Sequence, residues 1–174
     1  AATSTARYVV VGEGRTRSRY WWTLWRRGRA RAVTVQWADP SAEPPVGQAR
    51  RTVIEPNPPL EPRIAVLVPC LDEAATISGV VTGFRSALPG CTVYVYDNGS
   101  ADDTARRAAE AGAVVRSEAA PGKGAVVRRM FADVDADLYV MADGDGTYDA
   151  AQAGQLVKQL REDDLDMVVG ARAG

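Results

Sequence analysis

The chain has 174 residues, 46% of them apolar and 25% charged, which is one domain of ordinary size with a real core and not a collagen-like or wholly disordered chain. Two cysteines and no histidine exclude a disulfide framework and a Cys/His zinc site, so any metal must be held by oxygen. No apolar run approaches the roughly 18 residues of a bilayer span, and no charged-then-apolar leader opens the sequence.

The net charge of −1 hides an asymmetry. Residues 1–63 carry 11 arginines against five acids, and the remainder carries 10 basic and 17 acidic residues. All four tryptophans (Trp21, Trp22, Trp25, Trp37) lie in the basic part, so residues 1–62 read as an irregular, Arg/Trp-rich extension with a linker. Within it, residues 7–14 read as a strand and turn, and Ala32–Trp37 as another short strand. The stretch Arg17–Arg31 has the composition of a membrane-surface segment, a nucleic-acid arm or a poorly ordered tail, and the sequence leaves these open. Residues 38–62 hold seven of the ten prolines and read as an extended linker. The first residue, Ala1, is the expectation for a processed or incomplete chain.

From Arg63 the pattern becomes regular. Residues 64–69 form a continuous apolar run, the mark of a strand buried on both faces. Ile77, Val80, Val81, Phe84 and Leu88 follow at helical spacing. Thr92–Tyr96 reads as the second strand. Ser100 is of N-cap type and opens an expected helix carrying Ala101, Ala105 and Ala108, which Gly112 closes. Ala113–Arg116 is a third strand, and Val126, Val127, Met130, Phe131 and Val134 form a helical stripe. Asp137–Ala142 is a fourth strand, Ala153, Leu156, Val157 and Leu160 a helix, and Leu165–Val169 a fifth strand. Strands alternating with helices predict an α/β fold with a mostly parallel sheet flanked by helices. Cys70 and Cys91 then sit at opposite ends of the sheet, roughly 17 Å apart, too far for a disulfide. Both are expected to be free, consistent with a cytoplasmic protein.

In such a sheet ligands bind beyond the carboxyl ends of the strands, so the residues there are the candidates. Asp143 and Asp145, spaced i and i+2 in a glycine-rich loop, can share a hard divalent cation that neutralises a diphosphate; an ordinary acidic turn has the same composition. The loop is not an EF-hand, whose sixth and twelfth positions would be Gly and Glu where Tyr148 and Gly154 stand. It also resembles the nucleophile motif of haloacid-dehalogenase-type phosphatases, but only 27 residues follow Thr147. Asp72 and Glu73 serve either as cap and first-turn acid or, for Glu73, as an acceptor for ribose hydroxyls. Asp97 and Asn98 serve either a turn or a base and ribose. Lys123, in Pro121-Gly-Lys-Gly124, approaches a phosphate loop without its full motif, and Gly12-Glu-Gly14 lacks the third glycine of a dinucleotide fingerprint.

The strand-end elements occur in a particular order. Residues 64–73 (IAVLVPCLDE), 95–104 (VYDNGSADDT), 122–125 (GKGA), 141–148 (MADGDGTY) and 168–172 (VVGAR) together resemble the family-2 glycosyltransferases of GT-A fold, most of all the dolichyl-phosphate-mannose-synthase-like branch. The resemblance covers about residues 63–174 and implies that these form the nucleotide-sugar-binding half of a GT-A (Rossmann-like) domain. It implies a metal-dependent inverting transfer from a UDP- or GDP-sugar, with a polyprenyl phosphate as acceptor. Pro69, Asp72, Glu73, Asp97, Asn98, Lys123, Asp143 and Arg172 would bind the donor, with Asp72 where the family usually has Asn. Asp143 and Asp145 would be catalytic through Mg²⁺ or Mn²⁺. Thr147 stands where related enzymes often have a Gln ligand, and Arg172 matches an element near the acceptor. Peripheral contact with the cytoplasmic face of a membrane accompanies a lipid-phosphate acceptor; no nucleic acid is expected as a partner. Relatives in that family continue past the Gly-Ala-Arg element, so the resemblance further implies a chain truncated at its C-terminus. The rival reading is a non-catalytic nucleotide-sugar-binding piece that lacks the acceptor half.

Overall fold

The computed structural model describes residues 7–11, 32–36 and 61–171. Two short strands, β1 (Arg7–Val11) and β2 (Ala32–Gln36), precede a regular alternation. It runs β3 (Ile64–Cys70), α1 (Ile77–Ala87), β4 (Thr92–Asp97), α2 (Thr104–Glu110) and β5 (Val114–Ser117). It continues through α3 (Lys123–Asp133), β6 (Leu138–Met141), a 3₁₀ turn at Ala150–Gln152, α4 (Ala153–Glu162) and β7 (Met167–Ala171). The strands form one sheet in the order β2-β7-β1-β6-β3-β4-β5, and every described pairing is parallel, as the alternation predicts.

Successive residues of a strand point to opposite faces, and the sheet uses both. Val66 and Val68 of β3 and Val140 of β6 face one layer, packed by Ile77, Val81 and Phe84 of α1, Ala108 of α2 and Leu156 and Leu160 of α4. Ala65 and Leu67, with Tyr96, Tyr139 and Met141, face a second layer covered by Val126 and Met130 of α3. From Ala65 to Cys70 each residue of β3 is buried, as the uninterrupted apolar run requires.

Two helix ends explain where the boundaries fall. After α2 the amide of Gly112 donates to Ala109 O and that of Ala113 to Ala108 O, the double bond pattern of a Schellman stop, with Gly112 at φ +93°. After α4 the amide of Leu165 donates to Leu160 O across Asp164, which takes φ +50°. Leu165 therefore belongs to this lock and packs in the core, so the last strand starts at Met167 and not at Leu165. Ser100 is also not the N-cap expected of it: α2 begins four residues later, at Thr104, and Ala101 is exposed.

Both strands expected in the N-terminal extension are present, and neither is separate from the sheet. β1 lies between β6 and β7, with Val9 opposite Val140 on one side and Val168 on the other, and β2 extends the far edge beyond β7. Val9 is 1% exposed within the layer that includes α4, and the Arg7 guanidinium pairs with Asp164. The Arg/Trp-rich stretch 17–31, the glycines at 12 and 14, residues 38–60 of the proline-rich segment and Arg172 lie outside the described residues. Both cysteines are free, Cys70 closing β3 and Cys91 preceding β4. Among the described residues no helix is long and apolar enough to cross a membrane.

Val9→Ala removes two methyl groups from a site enclosed by strands on both sides, and should lower the unfolding free energy by about 2 kcal/mol in urea titration. An unchanged midpoint would mean that residues 7–11 do not belong to the sheet.

Candidate active site

All strands point one way, so the loops after β3, β4, β5 and β6 gather along one edge of the sheet. Backbone bonds continue the ladder into them: Asn98 N donates to Cys70 O (2.9 Å), Glu118 N to Asp97 O (2.9 Å) and Ala142 N to Leu67 O (3.2 Å). Between these loops opens a cleft of about 310 Å³. Six of the nine residues singled out in the sequence line it: Pro69 and Glu73 after β3, Asn98 after β4, Lys123 at the start of α3, and Asp143 and Asp145 after β6. Cys70, Leu71, Pro121, Gly122 and Val126 complete the walls.

Asp72 and Asp97 are not among the lining residues. Asp72 takes φ +56°, a conformation that Asp and Asn tolerate better than other side chains, which accounts for either residue at this position. Its carboxylate accepts from Ala101 N (2.7 Å), and its own amide donates to Ser100 Oγ (2.9 Å). Glu73 N donates to Thr104 Oγ1 (2.8 Å) and Ala74 N to Asp102 Oδ2 (3.0 Å). The loops after β3 and β4 are thus laced together by side chains that satisfy amides with no helix to serve; α1 itself begins only at Ile77, so Glu73 is not a first-turn residue. Asp97, 8% exposed, accepts from the amide and the hydroxyl of Ser100.

Asn98 borders the cleft but spends its amide on the loop after β5. Nδ2 donates to Glu118 O (2.8 Å) and Ala120 O (2.9 Å), and Oδ1 accepts from Gly122 N (2.8 Å). This clamp fixes Gly122, the N-cap of α3, and so the next residue, Lys123, whose ammonium pairs with Asp143.

The acidic loop approaches the turn after β3 more closely than any side chain would allow. A Cβ on Gly144 would stand 2.1 Å from Glu73 Oε2 and 2.5 Å from Cys70 Sγ. Glu73 Oε2 is buried and has no hydrogen-bond partner among the described residues. Burial, followed by the charges of Asp145 and Asp143, raises the Glu73 carboxyl above the ordinary carboxylate range; Cys70 and Lys123 pull it down. Burial first, then the charge of Glu73, raises the Cys70 thiol far above its usual value, so it stays protonated and unreactive. Asp145 Oδ1 accepts from both the amide (2.9 Å) and the hydroxyl (2.8 Å) of Thr147, a local turn that holds the carboxylate at the cleft.

The donor set suits a hard cation. Asp143 and Asp145 supply carboxylate oxygens, and both bonds to Asp145 fall on Oδ1. Among the described residues no three acidic or cysteine side chains gather closely enough to hold a metal alone, so these two would need oxygens from a ligand to complete its shell. The residue types missed in the sequence are those whose role is contact: Gly144, Thr76 beneath it, and Leu71, an apolar side chain 54% exposed at the cleft.

Residues 65–174 match the family model described as Glycosyl transferase family 2. Protein RfbJ of Shigella flexneri is 51% identical over 109 residues, which cover 63% of this chain and 84% of that protein. Glycosyltransferase AglJ of Haloferax volcanii is 37% identical over 115 residues, 66% of this chain and 37% of AglJ. Among solved structures, glucosyl-3-phosphoglycerate synthase from Mycobacterium tuberculosis, in complex with Mn²⁺, UDP and glucosyl-3-phosphoglycerate, matches with TM-score 0.52 at 31% identity, over 57% of this chain and 40% of that one. Other crystals of that synthase contain Mg²⁺ with UDP, or Mn²⁺ with UDP-glucose and phosphoglyceric acid. The chain thus spans most of RfbJ but well under half of AglJ and the synthase.

Gly144→Ala should destabilise the protein by about 1–3 kcal/mol in chemical denaturation, because Glu73 can swing aside but the sulfur of Cys70, 3% exposed at the end of β3, cannot. The raised carboxyl of Glu73 means that the folded state holds this proton more tightly than the unfolded chain. Its contribution is therefore fully present below the ordinary carboxylate range and is lost as pH rises from there through the raised folded-state value. Glu73→Gln should match the parent in melting temperature near pH 4 and exceed it increasingly toward pH 7, in EDTA and without ligand; an equal difference at all pH values would refute the shift.

Proposed function

The chain belongs to glycosyl transferase family 2, and from this we propose that it transfers a hexose from a UDP- or GDP-sugar, with inversion, to a polyprenyl phosphate. The single observation that carries the reading is the joint placement of Glu73, Lys123, Asp143 and Asp145 in one cleft at the carboxyl edge of a parallel sheet. Pro69, Leu71, Pro121 and Val126 supply apolar wall for a base. The unpartnered Glu73 oxygen accepts a ribose hydroxyl or a base N–H, which would relieve its burial without water. Lys123 brings positive charge to a diphosphate from the N-terminal end of α3, where helix amides favour anions as well. Asp143 and Asp145 would hold Mg²⁺ or Mn²⁺, as the Mn²⁺ and Mg²⁺ complexes of the similar synthase suggest. Such an ion neutralises the charge that develops on the departing nucleoside diphosphate.

The acceptor attacks from the face of the sugar opposite the leaving group. A phosphate acceptor is ionised at neutral pH, so no strong protein base is required, whereas a hydroxyl acceptor would need a carboxylate. The similar synthase was crystallised with phosphoglyceric acid, also a phosphate. The motif order favours the lipid phosphate for this chain, which would bring it to the cytoplasmic face of a membrane.

Calorimetric titration with UDP-glucose and GDP-mannose should show saturable binding with Mn²⁺. EDTA or Asp145→Asn should weaken it at least about 100-fold. Absence of binding by the folded protein would end the donor-site reading. Transfer of labelled sugar to polyprenyl phosphate would establish the acceptor; transfer to 3-phosphoglycerate alone would overturn it; binding without turnover would favour a nucleotide-sugar-binding module.

A further inference from the structure

Thr76 is the N-cap residue of α1, the place where a threonine ordinarily turns its hydroxyl oxygen toward amides of the first helical turn. It makes no such bond. Its hydroxyl reaches instead to the carbonyl of Gly144 in the acidic loop, at 2.7 Å, with the Glu73 carbonyl farther off at 3.2 Å. A hydroxyl has one proton to give, and the shorter contact takes it. The other side of the same residue lies against Gly146, where an added Cβ would meet Thr76 Cβ and Cγ2 at 3.5 Å each. Gly144 and Gly146 are the two neighbours of Asp145. Thr76 thus holds the backbone before that carboxylate by a hydrogen bond, and the glycine after it faces the same residue.

Glycine on either side gives this loop the freest backbone available to it, and Gly146 uses that freedom at φ +75°. The turn made by Thr147 fixes the Asp145 carboxylate relative to its own loop, but does not fix the loop relative to the sheet. We propose that Thr76 is the positioning residue for Asp145, anchoring the acidic loop to the start of α1 so that the carboxylate is aimed before a cation and diphosphate arrive. The proposal rests on the reading of Asp145 as a metal-holding residue of the donor site.

The test compares Thr76→Val, which keeps the shape and removes the donor, Thr76→Ser, which keeps the donor, and Thr76→Ala, which removes the donor and the methyl group that faces Gly146. Amide hydrogen exchange on the ligand-free full chain reads the clamp directly. Thr76→Val should speed exchange of the segment 143–148 about five-fold, Thr76→Ala more, and Thr76→Ser hardly at all, with the amides of 80–87 unchanged. Titration of Mn²⁺ in the presence of UDP should show apparent metal affinity about ten-fold weaker in Thr76→Val and restored in Thr76→Ser, while UDP binding in EDTA stays the same in all. Wild-type exchange across 143–148 in both Thr76→Val and Thr76→Ala would overturn the clamp, whatever the titrations show. Faster exchange with undiminished Mn²⁺ affinity would overturn the positioning role. Faster exchange in a protein whose parent binds no UDP with Mn²⁺ would keep the clamp and remove the donor-site reading instead.

Discussion

No side chain fits at residue 144, and the arrangement of the cleft follows from that. Because Gly144 presents only backbone to Glu73 and Cys70, the acidic loop lies directly on the turn after β3 and not a side chain's width above it. The approach brings Asp143 and Asp145 close enough to Glu73 for their charges to disfavour its ionisation, and Glu73 Oε2 lies buried without a hydrogen-bond partner among the described residues. Three carboxyl groups then share one cleft with a single ammonium, that of Lys123, already paired with Asp143. Such a site is short of positive charge and of donors. A cation accompanied by a ligand rich in hydroxyl groups supplies both, while a cation alone supplies only the first.

Polar side chains along this edge of the sheet divide into two kinds that look alike in the sequence. Asp72, Ser100, Asp102 and Thr104 spend their oxygens on backbone amides of a neighbouring loop, and Asn98 spends its whole amide on the loop that carries Lys123. Glu73 and Asp145 keep an oxygen without a partner among the described residues. The first kind keeps the geometry of the second, because the loops that follow parallel strands have no ladder of their own to hold them. A carboxylate in a strand-end loop is therefore as often a brace as a contact.

The elements themselves were legible because apolar residues recur at the periods of strand and helix, and α1, with Ile77, Val80, Val81 and Phe84 all buried, is a direct case. Six cleft residues were legible because a parallel sheet dictates where its ligands bind, which turns a strand prediction into a site prediction. The close approach at Gly144 was not, since glycine in an acidic turn reads as turn chemistry until the segment 71 residues earlier in the chain is packed against it. Thr76 was hidden for the same reason, and its one local signal, N-cap type, points to a bond it does not make. Ser100 misled in the same way: its hydroxyl serves Asp97 and the amide of Asp72, so the helix starts later than a cap at 100 would place it. Nor does any local pattern say that β1 sits between β6 and β7, for strand pairing is a property of two segments and is written in neither.

That insertion has a consequence for how the protein is made. β1 is translated before either of its neighbours, yet its partners begin at Leu138 and Met167. At the usual pace of a ribosome the segment waits roughly ten seconds before β6 exists, with both of its hydrogen-bonding edges unmatched. Through that interval Tyr-Val-Val-Val, an apolar and β-prone run, is open to pairing with other nascent chains. The sheet is complete only after β7 has emerged, and its central pairings join segments far apart in the chain, the kind of contact that forms slowly.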